Sequence, residues 1–142
     1  MKIIGKNPIT GLDYPDPDVI RVDDTYYMVS TTMHFVPGCE ILRSYDLVHW
    51  EHLSYVYERL DSTEEQRLVG EKNCYGKGMW AASLRYHKGM YYICFVANDT
   101  GKTYLYTADN IEGPWEKRII EGFYHDSVSY THLRAHETRG NL

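Results

Sequence analysis

The sequence predicts an all-β chain built from β-propeller blades, and three observations carry that prediction. Apolar residues alternate with period two rather than 3.6, as in the run "VIRVDDTYYMVS". Tyrosine and tryptophan are abundant, 14 and 3 in 142 residues, and rings with one polar end suit sheet packing. The chain also repeats itself: Tyr26-Tyr27 recurs as Tyr91-Tyr92, and Trp50 as Trp115, each at an interval of 65 positions.

The elements follow in order. Val19 to Val22 leads through Asp23-Asp24 into Tyr26 to Thr31, a hairpin with a polar turn between two apolar runs. Glu40 to Ser44 gives a third strand and Trp50 to Leu53 a short fourth. A helix is predicted from Tyr57 to Leu68, with Asp61 or Ser62 as its cap and Glu64-Glu65 in its first turn; a loop is the alternative. The pattern then returns with Ser83 to Tyr86, a turn at His87-Lys88-Gly89, Met90 to Val96, Lys102 to Thr107, and a last strand from near Trp115. "ILRSYDLVHWE" in the first unit answers "LYTADNIEGPWE" in the second. A lone four-stranded antiparallel unit cannot bury both of its faces, so two in tandem read as adjacent propeller blades.

A third unit should open near Gly122 to Asp126, but "SVSYTHLRAHETRGNL" shows no strand alternation. Residues 1–126 are therefore expected to be the N-terminal part of a propeller, and 127–142 an aberrant tail outside the native fold. Propellers close with about 4–8 blades, so two blades predict a piece of a larger protein. Open blade edges expose unpaired backbone groups and predict poor solubility or an oligomer.

Composition removes several function classes. A net charge of −5 with scattered Lys and Arg offers no basic face for nucleic acid and no polybasic run for anionic lipid. No apolar run approaches the ~20 residues of a membrane span, and Met1 to Lys6 lacks the apolar core of a signal peptide, so the expected location is cytoplasmic. Cys39, Cys74 and Cys94 are an odd, widely spaced set that indicates neither a disulfide framework nor a zinc knuckle.

In a propeller the innermost strand of each blade starts beside the central channel, so side chains at those starts converge. Here the starts carry Asp16, then Met79-Trp80-Ala81, then His125-Asp126. Two carboxylates and a tryptophan facing one funnel suit sugar chemistry. Taken alone, "PDPD" is a proline turn with solvated carboxylates.

With those residues in view, "NPITGLDYPDPDVIRVDDTYYMVSTT", "PGCEILRSYDLVHWE", "KGMWAASLRYHKGMYY" and "EGFYHDS" together resemble successive motifs of the family 43 glycoside hydrolases, over about Asn7 to Ser127. The resemblance implies a five-bladed propeller of the β-xylosidase or α-L-arabinofuranosidase type, which removes xylose or arabinose units from plant polysaccharides with inversion. It places the general base at Asp16, and at Asp126 a carboxylate that tunes the pKa of the acid and orients it. Asp13 and Asp18 are rivals for the base that fall at turn or supporting positions. Phe35 and Trp80 match aromatic positions lining the sugar pocket, with blade packing as the alternative, whereas Trp50 and Trp115 read as structural. The family's general acid is a Glu well downstream, and that role does not transfer to Glu137. No cofactor is required by the resemblance, though a channel cation fits the intact enzyme, with its ligand beyond this chain. His132 and His136 have the i, i+4 spacing of metal ligands but sit in the tail, and no metal site is assigned to them. The expected partner is a xylo- or arabino-oligosaccharide. The rival readings are a non-catalytic sugar-binding propeller and an inactive fragment lacking the acid.

Overall fold

The computed structural model describes residues 4–124. They form eight strands: β1 Asp18–Val22, β2 Thr25–Val29, β3 Gly38–Ser44, β4 Glu51–Tyr57, β5 Met79–His87, β6 Met90–Ala97, β7 Lys102–Ala108 and β8 Glu116–Ile120. The strands pair in sequence order into two four-stranded sheets, β1-β2-β3-β4 and β5-β6-β7-β8, and every pairing is antiparallel. These are the two units that the repeat predicts.

Turn chemistry sets the register. Val22 pairs with Thr25 across Asp23-Asp24, where Asp23 takes φ 53°, a region Asp tolerates better than most residues. In the second unit His87 pairs with Met90 across Lys88-Gly89, and both turn residues have positive φ, as the tight primed hairpin turns require.

The core lies between the sheets. Val29, Ile41 and Tyr57 of the first blade meet Leu84, Ile93, Phe95, Tyr104 and Tyr106 of the second. Phe95 sits at the centre of the rings, 5.9 Å from Tyr57, 5.6 Å from Tyr104 and 5.8 Å from Tyr106 between centroids. Tyr27 and Tyr91, equivalent positions in the repeat, meet edge to face at 6.0 Å. Burying one such ring contributes roughly 1.5–3 kcal/mol, so much of the tyrosine content serves blade packing.

Backbone contacts stitch the blades together near the starts of β1 and β5. Met33 and Met79 exchange N–H···O bonds of 2.9 and 3.2 Å. This approach needs Gly78, whose φ is 82° and where a Cβ would stand 2.2 Å from the Met33 carbonyl oxygen.

The predicted helix from Tyr57 to Leu68 does not form. Strand β4 runs through Tyr57, and a long crossing loop holding a single turn then carries the chain to β5. The capping is done by Thr63, whose Oγ1 accepts the Gln66 N–H at 3.2 Å, not by Asp61 or Ser62. Propagation stops at Leu68, φ 55°, and Gly70, φ 62°. The side chains a helix would turn to solvent are spent on blade two instead. Asp61 accepts from the Tyr104 hydroxyl at 2.8 Å and from Lys102 at 3.1 Å, and Gln66 donates to Asp99 at 2.8 Å. Tertiary hydrogen bonds outweigh a weak helical propensity here.

Candidate active site

Asp16 stands just before β1, at the end of the blades where the stitching lies. It is exposed and has φ 49°, a left-handed conformation that is uncommon outside glycine and clusters at functional sites. Pro15 and Pro17 stiffen the backbone on both sides.

A single residue holds this conformation. The Thr31 N–H donates to the Pro15 carbonyl at 2.9 Å, and the Thr31 hydroxyl donates to Asp16 Oδ2 at 3.3 Å. The same hydroxyl oxygen accepts the Ala81 N–H of blade two at 2.8 Å. Since a threonine hydroxyl has one hydrogen and that oxygen is already an acceptor, its hydrogen is left for the carboxylate. Thr31 thereby engages one Asp16 oxygen, and Oδ1 has no hydrogen-bond partner among the described residues.

Blade two meets this arrangement through a defect in its own ladder. Trp80 pairs with Val96 but Ser83 with Cys94, so one extra residue is accommodated at Ala81-Ala82, and Ala81 has φ 47°. A bulge of this kind re-aims side chains and frees a backbone donor. It turns the Ala81 N–H toward Thr31 and leaves Trp80 37% exposed at the start of β5.

Asp18 has a different task. Its Oδ2 accepts the Leu84 N–H at 2.8 Å and an Arg85 Nη1–H at 2.6 Å, which latches β1 to β5. Asp13 lies exposed in the preceding loop. Asp16, Asp18, Ala81, Ser83 and Arg85 line a cleft of about 190 Å³ between the blades. Arg85 brings a positive charge to this cleft, which would otherwise carry two carboxylates alone.

Of the aromatic positions, Phe35 is 63% exposed and lies on the loop from β2 to β3, at the same end of the blades as Asp16. Trp115 packs against the core, and Trp50 donates its Nε1–H to the Leu47 carbonyl at 3.1 Å within its own turn. Asp126, His132, His136 and Glu137, with the tail from 127, lie outside the described residues. The buried thiols are not reactive groups: burial pushes Cys94 up to about 11, and Cys39 higher still.

Sequence reading missed Thr31 and Arg85, and it gave Asp18 a turn or supporting position without naming its partners Leu84 and Arg85. A signal for Thr31 was present in "VSTT", where an apolar strand ends in three hydroxyl residues. Ser30 and Thr31 are both buried, and a buried hydroxyl demands a partner. No comparable signal marked Arg85, which acts across a sequence separation of 67 from Asp18.

The chain is similar to a β-xylosidase of Formosa agariphila, 39% identical over 114 residues, which are 80% of this chain and 19% of that protein. It is 37% identical over 122 residues to a non-reducing end α-L-arabinofuranosidase of Bacteroides ovatus, covering 82% of this chain and 22% of the relative. Among solved structures, a bifunctional GH43-CE protein of Bacteroides eggerthii superimposes with a TM-score of 0.81 at 48% identity, over 85% of this chain and 16% of that one. The chain thus spans about a fifth of the length of the relatives it matches. The family model of the glycosyl hydrolases family 43 matches residues 5–127, and with two blades in place and Asp16 poised at their shared end, the chain belongs to that family.

Proposed function

We propose that this chain is the N-terminal part of an inverting glycosidase that removes xylose or arabinose units from oligosaccharides, with Asp16 as its general base. The observation that carries the reading is the Asp16 carboxylate, exposed at the blade cleft with one oxygen engaged by Thr31 and the other without a hydrogen-bond partner among the described residues. A general base must be fixed and ionised, with a free lone pair aimed where water sits. Family membership and the similarity to a β-xylosidase and an α-L-arabinofuranosidase support the substrate class.

In the reaction, water lies between Asp16 Oδ1 and the anomeric carbon. Its oxygen bonds to that carbon while its proton passes to Oδ1. The bond to the leaving oxygen breaks, and a general acid from a later blade protonates that oxygen. Inversion of this kind needs the two carboxyl groups about 6.5–9.5 Å apart, so that water fits between base and sugar. Asp126, to which the family resemblance of "FYHDS" assigns this part, keeps the acid protonated by like-charge repulsion.

The test is Asp16→Asn in the complete enzyme, assayed on an aryl β-xyloside and an aryl α-L-arabinofuranoside. Loss of the base should lower kcat by about 10²–10⁴-fold while sugar binding persists. Unchanged turnover on both substrates rejects the role. Proton NMR of the first product decides the stereochemistry: α-xylose released from a β-xyloside confirms inversion, and β-xylose overturns it.

A further inference from the structure

The loop from β2 to β3 and the crossing loop from β4 to β5 meet in a contact that depends on the protonation of a histidine. His34 Nδ1 accepts the Gly76 N–H at 3.1 Å, across 42 positions of the chain. A ring nitrogen that accepts carries no proton, so the neutral imidazole holds its hydrogen on Nε2. An imidazolium has N–H groups at both nitrogens and accepts at neither. Protonation therefore turns the Gly76 N–H toward a second donor and leaves it without its partner.

The other hydrogen bonds of these loops are indifferent to a proton. Met33 and Met79 are joined by two backbone bonds, the Lys77 N–H donates to the Cys74 carbonyl at 2.8 Å, and the Tyr75 N–H donates to Asn73 Oδ1 at 3.1 Å. The rings of Phe35 and Tyr75 flank His34 at centroid separations of 4.4 and 4.7 Å. Leu68, Asn73, Cys74 and Tyr75 line the cavity beside it. The titratable groups of that lining are a thiol and a phenol, and burial pushes the Cys74 thiol up. Glu71, Lys72 and Lys77 are exposed on the same loop, and Lys72 pairs with Glu64. Among the described residues no carboxylate lines the cavity, so the charge of an imidazolium meets no counter-ion there.

We propose that His34 is a proton-operated latch: neutral, it fastens residues 73–76 of the crossing loop to the loop between β2 and β3, and protonated, it releases them. Imidazole is the side chain whose charge changes between pH 5 and 8, so release falls in that window. The bond is made by the neutral form, hence the hold is complete at the alkaline end and is lost as pH falls. The Met33–Met79 bridge uses backbone groups alone and stays closed throughout. Acid thus loosens one loop without parting the blades, whatever chemistry Asp16 performs.

The test is hydrogen exchange of the full chain, read residue by residue by NMR and corrected for the intrinsic pH dependence of amide exchange, with the His34 ring nitrogens titrated in the same samples. Protection of the Gly76 amide should fall about three- to tenfold from pH 8 to pH 5, the scale of one hydrogen bond, with the midpoint of the His34 titration. The Met33 and Met79 amides should keep their protection, and the neutral ring should be the Nε2–H tautomer. His34→Gln cannot titrate and should leave Gly76 equally protected at both pH values. His34→Ala, which removes the acceptor, should show at pH 8 the low protection that the parent shows at pH 5. Equal protection of Gly76 at both pH values in the parent overturns the latch. So does a pH dependence that survives in His34→Gln, an Nδ1–H tautomer at pH 8, full protection in His34→Ala, or a parallel loss at Met33 and Met79.

Discussion

The two blades share a topology and divide the labour unequally. In the first, β1 and β2 are five residues long, β1 alternates between half-buried and exposed, and only the end of β2 is buried. In the second, β5 and β6 are nine and eight residues long, and six of the eight positions in β6 are buried. Blade one carries Asp16 in a left-handed conformation, the charged Asp18 and the hydroxyl run; blade two supplies Phe95, Ile93 and Tyr104. The lesson is that the strained, exposed Asp16 is held by Thr31 of its own blade, and Thr31 is in turn fixed by the Ala81 N–H of the better-buried second blade. Strain at a functional position persists only where its surroundings over-determine it.

That contrast breaks first at Phe95. It is 2% exposed and touches rings from both blades. Phe95→Ala should cost about 3–5 kcal/mol through lost transfer energy and the cavity left behind. Val19, at 41% exposure in β1, should lose at most about 0.5 kcal/mol on mutation to Ala. Urea unfolding of the full chain measures both. Equal losses would show that the first blade is as much a part of the core as the second.

Thr31 is where the blades exchange information, and its replacement sharpens the comparison. Thr31→Val keeps the shape but removes the donor to Asp16 and the acceptor for Ala81. In the complete enzyme kcat should fall by about 10–100-fold with KM little changed, a fraction of the full general-base effect. Thr31→Ser, which keeps the hydroxyl, should restore kcat. A Thr31→Ser enzyme as impaired as Thr31→Val would reduce Thr31 to a packing residue.

How much of this was legible in the sequence depends on the range of the interactions involved. The blades were readable because alternation and turn chemistry are local, and the Tyr-Tyr and Trp repeats announce two copies of one unit. Asp16 was assigned through the family resemblance of "YPDPDV" and its place at a blade start, since "PDPD" alone reads as a proline turn. The crossing loop was misread because the residues that look like a helix start, Asp61 to Gln66, are committed to Tyr104, Lys102 and Asp99, which lie up to 43 positions away. The bulge at Ala81-Ala82 has no sequence mark, since two alanines in a strand look unremarkable. Thr31 and Arg85 belong to the same class: each has a partner in the other blade, Ala81 for Thr31 and Asp18 for Arg85.

The smallest effect concerns the far end of blade one, where β3 turns into β4. Asp46 accepts from the His49 ring at 2.6 Å, from the His49 and Val48 N–H groups at 2.8 Å each, and from the Ser44 hydroxyl at 3.1 Å. The His49 ring first, then these backbone donors, hold its carboxyl well below the usual carboxylate range, against a smaller opposing effect of desolvation. A carboxyl depressed in the folded state protonates more readily in the unfolded chain. Its stabilisation is therefore fully present above the ordinary value near ~3.9 and is lost as pH falls below it toward the folded value. Asp46→Asn keeps an acceptor for the backbone donors but cannot ionise. The stability gap between parent and variant, followed by urea midpoints, should be constant from about pH 7 down to pH 5 and narrow steadily below pH 4. The corresponding turn of blade two, "ADNIEGPW", has Asn110 where this one has Asp46, its Oδ1 accepting the Glu112 N–H at 2.9 Å. An amide there does not titrate, so acid should loosen the first blade's turn before the second's. Hydrogen exchange at pH 3 that releases Val48 and His49 no earlier than Glu112 would show that the two turns respond alike, and that the carboxylate confers no acid sensitivity of its own.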